Sequence, residues 1–90
     1  MFYLEIVTPE KLFFSDEVEM VITRGIQGDL AILKGRASIT TPIKAGNTKI
    51  YKNGEEKIAT TLDGYISVVG DKTTIVTEDA QWINEKNATY

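Results

Sequence analysis

The side chains that could do chemistry in this chain are few, and none of them has the partners that catalysis requires. The sequence contains neither cysteine nor histidine. It therefore has no thiol nucleophile, no imidazole-based triad, no zinc finger and no disulfide. Glu17 and Glu19 share one face if they lie on a strand, and paired carboxylates can act as acid and base. They lie opposite an apolar face, so we interpret them as part of a solvated surface.

Two further segments contain residues that occur in ligand-binding sites, but we interpret both segments as turns. Gly25-Ile26-Gln27-Gly28 is rich in glycine but matches neither GxGxxG nor GxxxxGK[ST], and no helix follows it to present its N-terminus to an anion. We interpret these glycines as turn residues between strands. Asp63 precedes Gly64, and we expect its carboxylate to cap a turn rather than to bind a ligand.

Length and charge narrow the class of protein further. Ninety residues make one domain. Thirteen acidic against ten basic residues give a net charge of −3, which argues against a nucleic-acid partner. Apolar runs such as Leu30-Ala31-Ile32-Leu33 are far shorter than the roughly 20 residues of a membrane span, so we expect no lipid insertion. The first five residues lack the pattern of a signal peptide, and we expect a cytoplasmic location.

Strand-forming residues and regularly spaced turns predict an all-β fold. Turn signals recur about every 8–12 residues, which is typical of an antiparallel sandwich or barrel. Asn53-Gly54 is the strongest hairpin signal, and Gly70-Asp71-Lys72 is another. We expect residues 1–84 to form the domain, ending in a short strand or one helical turn, and residues 85–90 to be a frayed tail.

Alternation along the first strands gives more local expectations. Ser15-Asp16 is predicted to be a turn, and the next strand is predicted to place Val18, Met20 and Ile22 on one face. The same alternation places Phe13 and Phe14 on opposite faces, so only one of them reaches the core. Trp82, near the end of the chain, either pins the terminus to the core or binds a partner.

The order of the motifs resembles a known family. The chain is similar to the N-terminal β-sandwich domain of the epsilon subunit of the F-type rotary ATP synthase, which is called delta in mitochondria. The resemblance covers nearly the whole chain. The motifs that carry it lie, in order, at residues 4–10, 14–15, 18–22, 28–37, 43–46, 63–68 and 74–80.

This resemblance implies a fold and a role that composition alone does not show. The fold would be an antiparallel flattened sandwich of about 8–10 short strands in two sheets. The role would be that of a non-catalytic rotor subunit without cofactors, which links the gamma subunit to the c-subunit ring and couples rotation to ATP synthesis. The alpha/beta catalytic hexamer would be an indirect partner, and the location the cytoplasmic face of the bacterial inner membrane, as a peripheral component.

The resemblance also assigns contact residues, position by position. It implies contacts with the c-ring at Gln27, Gly28, Asp29 and Arg36, and contacts with gamma at Thr8, Glu10, Ser38, Ile39, Thr40 and Thr41. Arg36 stands where the family often has histidine, and Ser38 stands where it has proline. Longer members continue into two helices that inhibit ATP hydrolysis, and some bind ATP. Since no such helical hairpin follows Glu85, we expect neither property here.

Two other functions are compatible with a small β domain. One is a stand-alone carbohydrate- or peptide-binding module, which would use exposed aromatic residues such as Tyr51, Tyr65 or Trp82. The other is a small enzyme, which the lack of a nucleophile–base pair disfavours. A broad flat apolar patch would indicate a subunit interface, whereas a narrow aromatic cleft would indicate ligand binding.

Overall fold

The computed structural model describes residues 1–34 and 38–83, which form ten β-strands and no helix. In chain order the strands are β1 (Phe2–Val7), β2 (Leu12–Val18), β3 (Met20–Gly25), β4 (Gly28–Leu33), β5 (Ile39–Ile43), β6 (Gly46–Lys52), β7 (Glu55–Thr61), β8 (Gly64–Val69), β9 (Lys72–Thr77) and β10 (Ala80–Trp82). The prediction of an all-β fold is confirmed. The predicted end of the domain at residue 84 and the tail at 85–90 lie outside the described residues.

The strands form two five-stranded layers. Sheet I has the order β10-β7-β6-β3-β4, and sheet II has the order β5-β8-β9-β1-β2. The two layers are not fully separate, because Gly25 of β3 pairs with Ile43 of β5 and the hydrogen bonding continues from one sheet into the other. The architecture is therefore a sandwich that is closed along one corner.

One strand pair departs from the predicted antiparallel arrangement. β1 lies between β2 and β9, and it is antiparallel to β2 but parallel to β9. A parallel pair cannot be joined by a short hairpin, and β1 and β9 come from opposite ends of the chain. The N-terminal strand therefore lies inside sheet II, between β9 and β2, although β9 follows it by about 65 positions in the chain.

The core lies between the inner faces of the two sheets. The largest fully buried side chains are Leu4, Ile6, Ile32, Ile50, Ile66 and Ile75. They follow the two-residue period of their strands, which places alternate residues on one face. Burying a side chain of this size contributes about 1.5–3 kcal/mol.

A chain of threonine hydroxyls crosses the core side of sheet I. The hydroxyls of Thr23 and Thr48 are 2.9 Å apart, and those of Thr48 and Thr61 are 3.0 Å apart. All three side chains are buried. Each hydroxyl can donate one hydrogen bond and accept others, so the chain satisfies polar groups that would otherwise destabilise the core.

The predicted hairpin at Asn53-Gly54 is confirmed. Both residues have positive φ, 53° for Asn53 and 77° for Gly54. Positive φ at both central residues is what a type I′ turn requires, and asparagine and glycine adopt it most easily. Gly70, at φ 60°, begins the predicted turn between β8 and β9.

The prediction for the second and third strands is wrong in two respects. Ser15 and Asp16 do not form a turn, because β2 continues through both. The strand then ends at Val18, and β3 begins in the other sheet after Glu19. Because the chain crosses between sheets here, the alternation of buried and outward-facing residues shifts by one position after Val18. Val21 and Thr23 are therefore buried, instead of the predicted Met20 and Ile22.

Phe13 and Phe14 are also not on opposite faces. Ile6 pairs with Phe14 and Val7 pairs with Leu12, so Phe13 is the extra residue of a β-bulge. The bulge lets both rings pack against the core and against Trp82, at ring-centroid distances of 4.7 Å for Phe13 and 5.8 Å for Phe14. Trp82 keeps 44% of its surface exposed, so it covers the side of the sandwich between β2 and β10 rather than lying in the core.

Candidate partner-binding surfaces

The hairpin between β3 and β4 carries three of the residues predicted to contact the c-ring. Gln27, Gly28 and Asp29 are all exposed at its tip. Gly28 has a φ of 118°, a backbone conformation that residues other than glycine rarely adopt. Asp29 accepts a hydrogen bond from Arg24 Nε at 3.1 Å, and both side chains are more than half exposed. The structure therefore brings these three together and adds Arg24, which sequence reasoning missed. Arg36 lies outside the described residues.

The residues predicted to contact gamma divide into two groups, both on sheet II. Thr8 and Glu10 lie in the turn between β1 and β2, where the Thr8 hydroxyl and backbone bond with the backbone of Lys11. Thr8 is buried and Glu10 is exposed. The other group, Ser38 to Thr41, lies in and just before β5, at the opposite edge of the sheet. The structure does not bring the two groups into contact.

A groove connects part of the gamma group with the hairpin tip. It lies between β4 and β5 and has a volume of about 550 Å³. Its lining residues are Gly25, Ile26, Gln27, Gly28, Asp29, Leu30, Ile39 and Thr41. Residues predicted for two different partners therefore line one groove, which the sequence did not indicate.

The outer face of sheet II carries an apolar row that crosses all five strands. Direct pairing in the sheet connects its members in the order Pro42, Tyr65, Val76, Val7 and Leu12. Tyr65 is 46% exposed and Leu12 is 55% exposed. The next row of the same face is polar and contains, in order, Thr40, Ser67, Thr74, Glu5 and Ser15. We call the first set the apolar row, and the two rows lie side by side on the outer face of sheet II.

Sequence reasoning found the apolar row only in part. Residues 2–8 alternate Phe2, Leu4 and Ile6 with Tyr3, Glu5 and Val7. Because both sets are largely apolar, this pattern predicts that the outer face of the first strand also packs against something. Pairing Val7 with Val76 and Val76 with Tyr65 requires the strand order, which no local pattern contains. The shallow depression beside the row is lined by Thr8, Tyr65 and Val76 among others, so Thr8 belongs to the same surface.

The side of the sandwich between β2 and sheet I is held together by charge as well as by aromatic rings. Lys57 Nζ lies 6.0 Å from the Phe14 ring centroid and 5.7 Å from that of Trp82. Lys52 Nζ donates to Asp16 Oδ2 at 2.8 Å. This bond, with a second from the Glu17 backbone N–H, holds the pKa of Asp16 below its ordinary value. On the outer face of sheet I, the Glu56 carboxylate accepts a bond from the Tyr51 hydroxyl and raises the pKa of Tyr51.

The described residues contain neither a metal-holding cluster nor an unsatisfied buried side-chain polar atom. Within residues 1–34 and 38–83, no three carboxylates come close enough together to hold a metal ion. Every buried side-chain nitrogen or oxygen in these ranges has a hydrogen-bond partner, so none is left directed at a ligand. In the same part of the chain no helix is long and apolar enough to cross a membrane. The fold defines the class of the protein, a two-layer β-sandwich domain of ten strands within the described residues.

Comparison with known proteins identifies the family. The family model of the β-sandwich domain of the ATP synthase delta/epsilon chain matches residues 1–83, so the chain belongs to this family. The ATP synthase epsilon chain of Alkaliphilus oremlandii is 39% identical over 84 residues, which are 93% of this chain and 63% of that protein. The epsilon chain of Chlorobium limicola is 38% identical, and the match covers 87% of this chain and 90% of that relative.

A solved structure shows the same fold at much lower sequence identity. A chain in the cryo-EM structure of the Euglena gracilis mitochondrial ATP synthase superposes with a TM-score of 0.83 and 17% identity, covering 93% of this chain and 56% of that chain. The resemblance seen in the sequence is thereby confirmed for the family and the fold. The chain spans about three fifths of the length of most of the relatives it matches.

Proposed function

We propose that this chain is a non-catalytic subunit of the central stalk of an F-type ATP synthase. It links the gamma subunit to the c-subunit ring and passes rotation between them, with the alpha/beta hexamer as an indirect partner. The observation that carries the proposal is the broad outer face of sheet II in a chain of the delta/epsilon family. We place the subunit at the cytoplasmic face of the bacterial membrane, held there by its partners.

The outer face of sheet II is the surface we assign to gamma. Its apolar row is uninterrupted across the sheet. The neighbouring row is polar and has short side chains except at Glu5, whose carboxylate pairs with Lys72. The hairpin tip with Gln27, Gly28 and Asp29 is assigned to the c-ring. Exposed carboxylate and amide groups suit the polar loops of such a ring.

The alternative of a stand-alone carbohydrate- or peptide-binding module receives less support. It requires the exposed aromatic residues to form one cleft. Tyr51 pairs with Met20 and Glu56 on the outer face of sheet I, whereas Tyr65 lies on the outer face of sheet II. Trp82 packs on Phe13 and Phe14 at a third location. These three residues cannot contact the same small ligand.

The assignment of the outer face of sheet II to the gamma subunit is tested by introducing a charge into the apolar row. The variant Tyr65→Glu places a charge in the middle of the row, and we expect it to weaken binding to the cognate gamma subunit by about 100-fold, because a charge buried without a partner at an interface is costly. The measurement is isothermal titration calorimetry with purified gamma. Tyr51→Glu is the matched control on the opposite face and should bind like the unmodified chain. Equal binding by all three proteins would contradict this assignment.

The assignment of the β3–β4 hairpin tip to the c-ring is tested by reversing the charge of Asp29. Asp29→Lys should reduce ATP synthesis driven by the proton or sodium gradient, or retention on the c-ring, several-fold in the reassembled complex, with a melting temperature within a few degrees of the unmodified chain. The Arg24–Asp29 pair is exposed, and exposed pairs contribute about 0–1 kcal/mol. The control is Asp71→Lys, which makes the same charge change in the turn between β8 and β9 and should leave coupling intact. Unfolding by Asp29→Lys would show that the residue is structural.

A further inference from the structure

The tip of the β6–β7 hairpin holds the one Asn-Gly pair of the sequence, Asn53-Gly54, and both residues are exposed to water. An asparagine before a glycine is open to a spontaneous reaction, because glycine has no side chain to shield its backbone nitrogen. The Gly54 nitrogen gives up its proton to solvent and attacks Cγ of Asn53, and the side-chain nitrogen leaves as ammonia. Water then opens the resulting five-membered succinimide ring and leaves aspartate or isoaspartate at this position.

The turn conformation holds the two reacting atoms apart. The φ angles of 53° at Asn53 and 77° at Gly54 are those of a type I′ turn, in which ψ of the first central residue is about 30°. At this ψ the Gly54 nitrogen lies nearly opposite Cβ of Asn53 across the Cα–C bond. Ring closure requires the nitrogen and Cβ to lie on the same side of that bond. The succinimide therefore forms only after the peptide unit between the two residues has rotated out of the turn.

Glu19, which lies where the chain crosses from β2 to β3, holds this turn from a distant part of the sequence. Its N–H donates to the Tyr51 carbonyl at 2.8 Å, and its carboxylate accepts a hydrogen bond from the Asn53 N–H at 3.0 Å. The second bond restrains rotation at Asn53. Lys52 Nζ donates to Asp16 Oδ2 at 2.8 Å, which ties the same hairpin to β2 of sheet II. Contacts from outside the hairpin therefore oppose its opening.

We propose that Asn53 is a deamidation site that the folded hairpin protects, and that Glu19 is the residue that positions the turn against the reaction. This inference is independent of the proposed function. The isoaspartate product carries the main chain through its side-chain carbons and so adds one carbon to the backbone. A loop of two residues lengthened in this way loses the pairing of Lys52 with Glu55. The aspartate product keeps the normal main chain, and Asp-Gly also suits a type I′ turn.

Deamidation rates of the folded and unfolded chain test this proposal. The whole chain is incubated in buffer and in guanidinium chloride at the same pH and temperature, and mass spectrometry of the peptides that contain Asn53 gives the fraction converted. We expect the folded chain to react about tenfold more slowly or less, because the reaction passes only through the open hairpin. Equal rates in the two states would overturn the inference, as would an unfolded chain that keeps Asn53 intact.

Variants at Glu19 test the positioning role. Glu19→Ala removes the acceptor and should raise the folded-state rate several-fold while leaving the unfolded-state rate unchanged. Glu19→Gln keeps an acceptor oxygen and should react nearly as slowly as the unmodified chain. Glu17→Ala is the matched control, since it removes an exposed carboxylate from β2, where Glu17 pairs with Tyr3. Equal folded-state rates for Glu19→Ala and Glu17→Ala would overturn the role of Glu19.

The stability of the product tests the loss of pairing. The isoaspartyl chain, separated by chromatography, should melt at a lower temperature than the variant Asn53→Asp, which has the same charge and an unaltered main chain. Equal melting temperatures would contradict the lost pairing at the end of β6 and β7.

Discussion

Replacing Gly64 with alanine is expected to lower the free energy of unfolding by about 3 kcal/mol or more, and to lower the melting temperature by about 12 °C or more. A Cβ atom at Gly64 would lie 1.8 Å from the carbonyl oxygen of Val76. That oxygen belongs to the backbone of β9, which is held between β8 and β1 and cannot move aside without breaking pairs on both sides. Thermal unfolding followed by circular dichroism measures the effect.

A second glycine serves as the matched control. Gly54 has a φ of 77°, and no atom lies within 4 Å of the position that a Cβ would take, so Gly54→Ala introduces backbone strain without a clash. The left-handed conformation costs an alanine about 1–2 kcal/mol. We therefore expect Gly54→Ala to be clearly more stable than Gly64→Ala. The opposite order would show that β8 and β9 are not as close as the structure places them.

Replacing Thr48 with valine is expected to lower the free energy of unfolding by about 2–4 kcal/mol. Valine has nearly the shape of threonine but no hydroxyl, so packing is preserved while two hydrogen bonds are lost. The hydroxyls of Thr23 and Thr61 remain buried without this partner, and leaving a buried polar group unsatisfied costs about 1–3 kcal/mol. Chemical denaturation in urea, with the slope checked for two-state behaviour, measures the change.

The triple variant separates lost hydrogen bonding from altered packing. Thr23→Val, Thr48→Val and Thr61→Val together remove all three hydroxyls, so none of the three is left without a hydrogen-bond partner. We expect the triple variant to regain most of the stability that Thr48→Val loses, because replacing both partners by apolar groups of the same shape is nearly neutral. Thr40→Val, on the exposed outer face, should change stability by less than about 0.5 kcal/mol. A triple variant whose loss equals the sum of three single losses would contradict the hydroxyl chain.

The predictions that held were those encoded by neighbouring residues. Asn53-Gly54 predicts its turn because both residues adopt positive φ, wherever the hairpin lies in the fold. The turn predicted at Gly70-Asp71-Lys72 likewise lies between β8 and β9. Asp63 was expected to cap its own turn, but its carboxylate accepts a hydrogen bond from the Ala45 N–H at 2.9 Å, 18 positions away, in the turn between β5 and β6.

The predictions that failed depended on partners distant in sequence. The register between β1 and β2 places the bulge at Phe13, and nothing within β2 marks it. The crossing at Glu19 shifts the buried face from Met20 to Val21, because β2 and β3 belong to different sheets. Local alternation describes a strand only as long as it stays in one sheet.

The sequence by itself determined the all-β class, the hairpin turns at Asn53-Gly54 and Gly70-Asp71-Lys72, and the family, since glycine-containing turns and motif order are properties of adjacent residues. Only the tertiary structure decided that β1 pairs in parallel with β9, that Gly64 must stay a glycine, and which residues form the apolar row and the β4 groove. Binding surfaces of this kind are built across five strands, and each row joins residues that are up to several tens of positions apart in the chain. Strand order and register bring such residues together, and both depend on how the whole core packs.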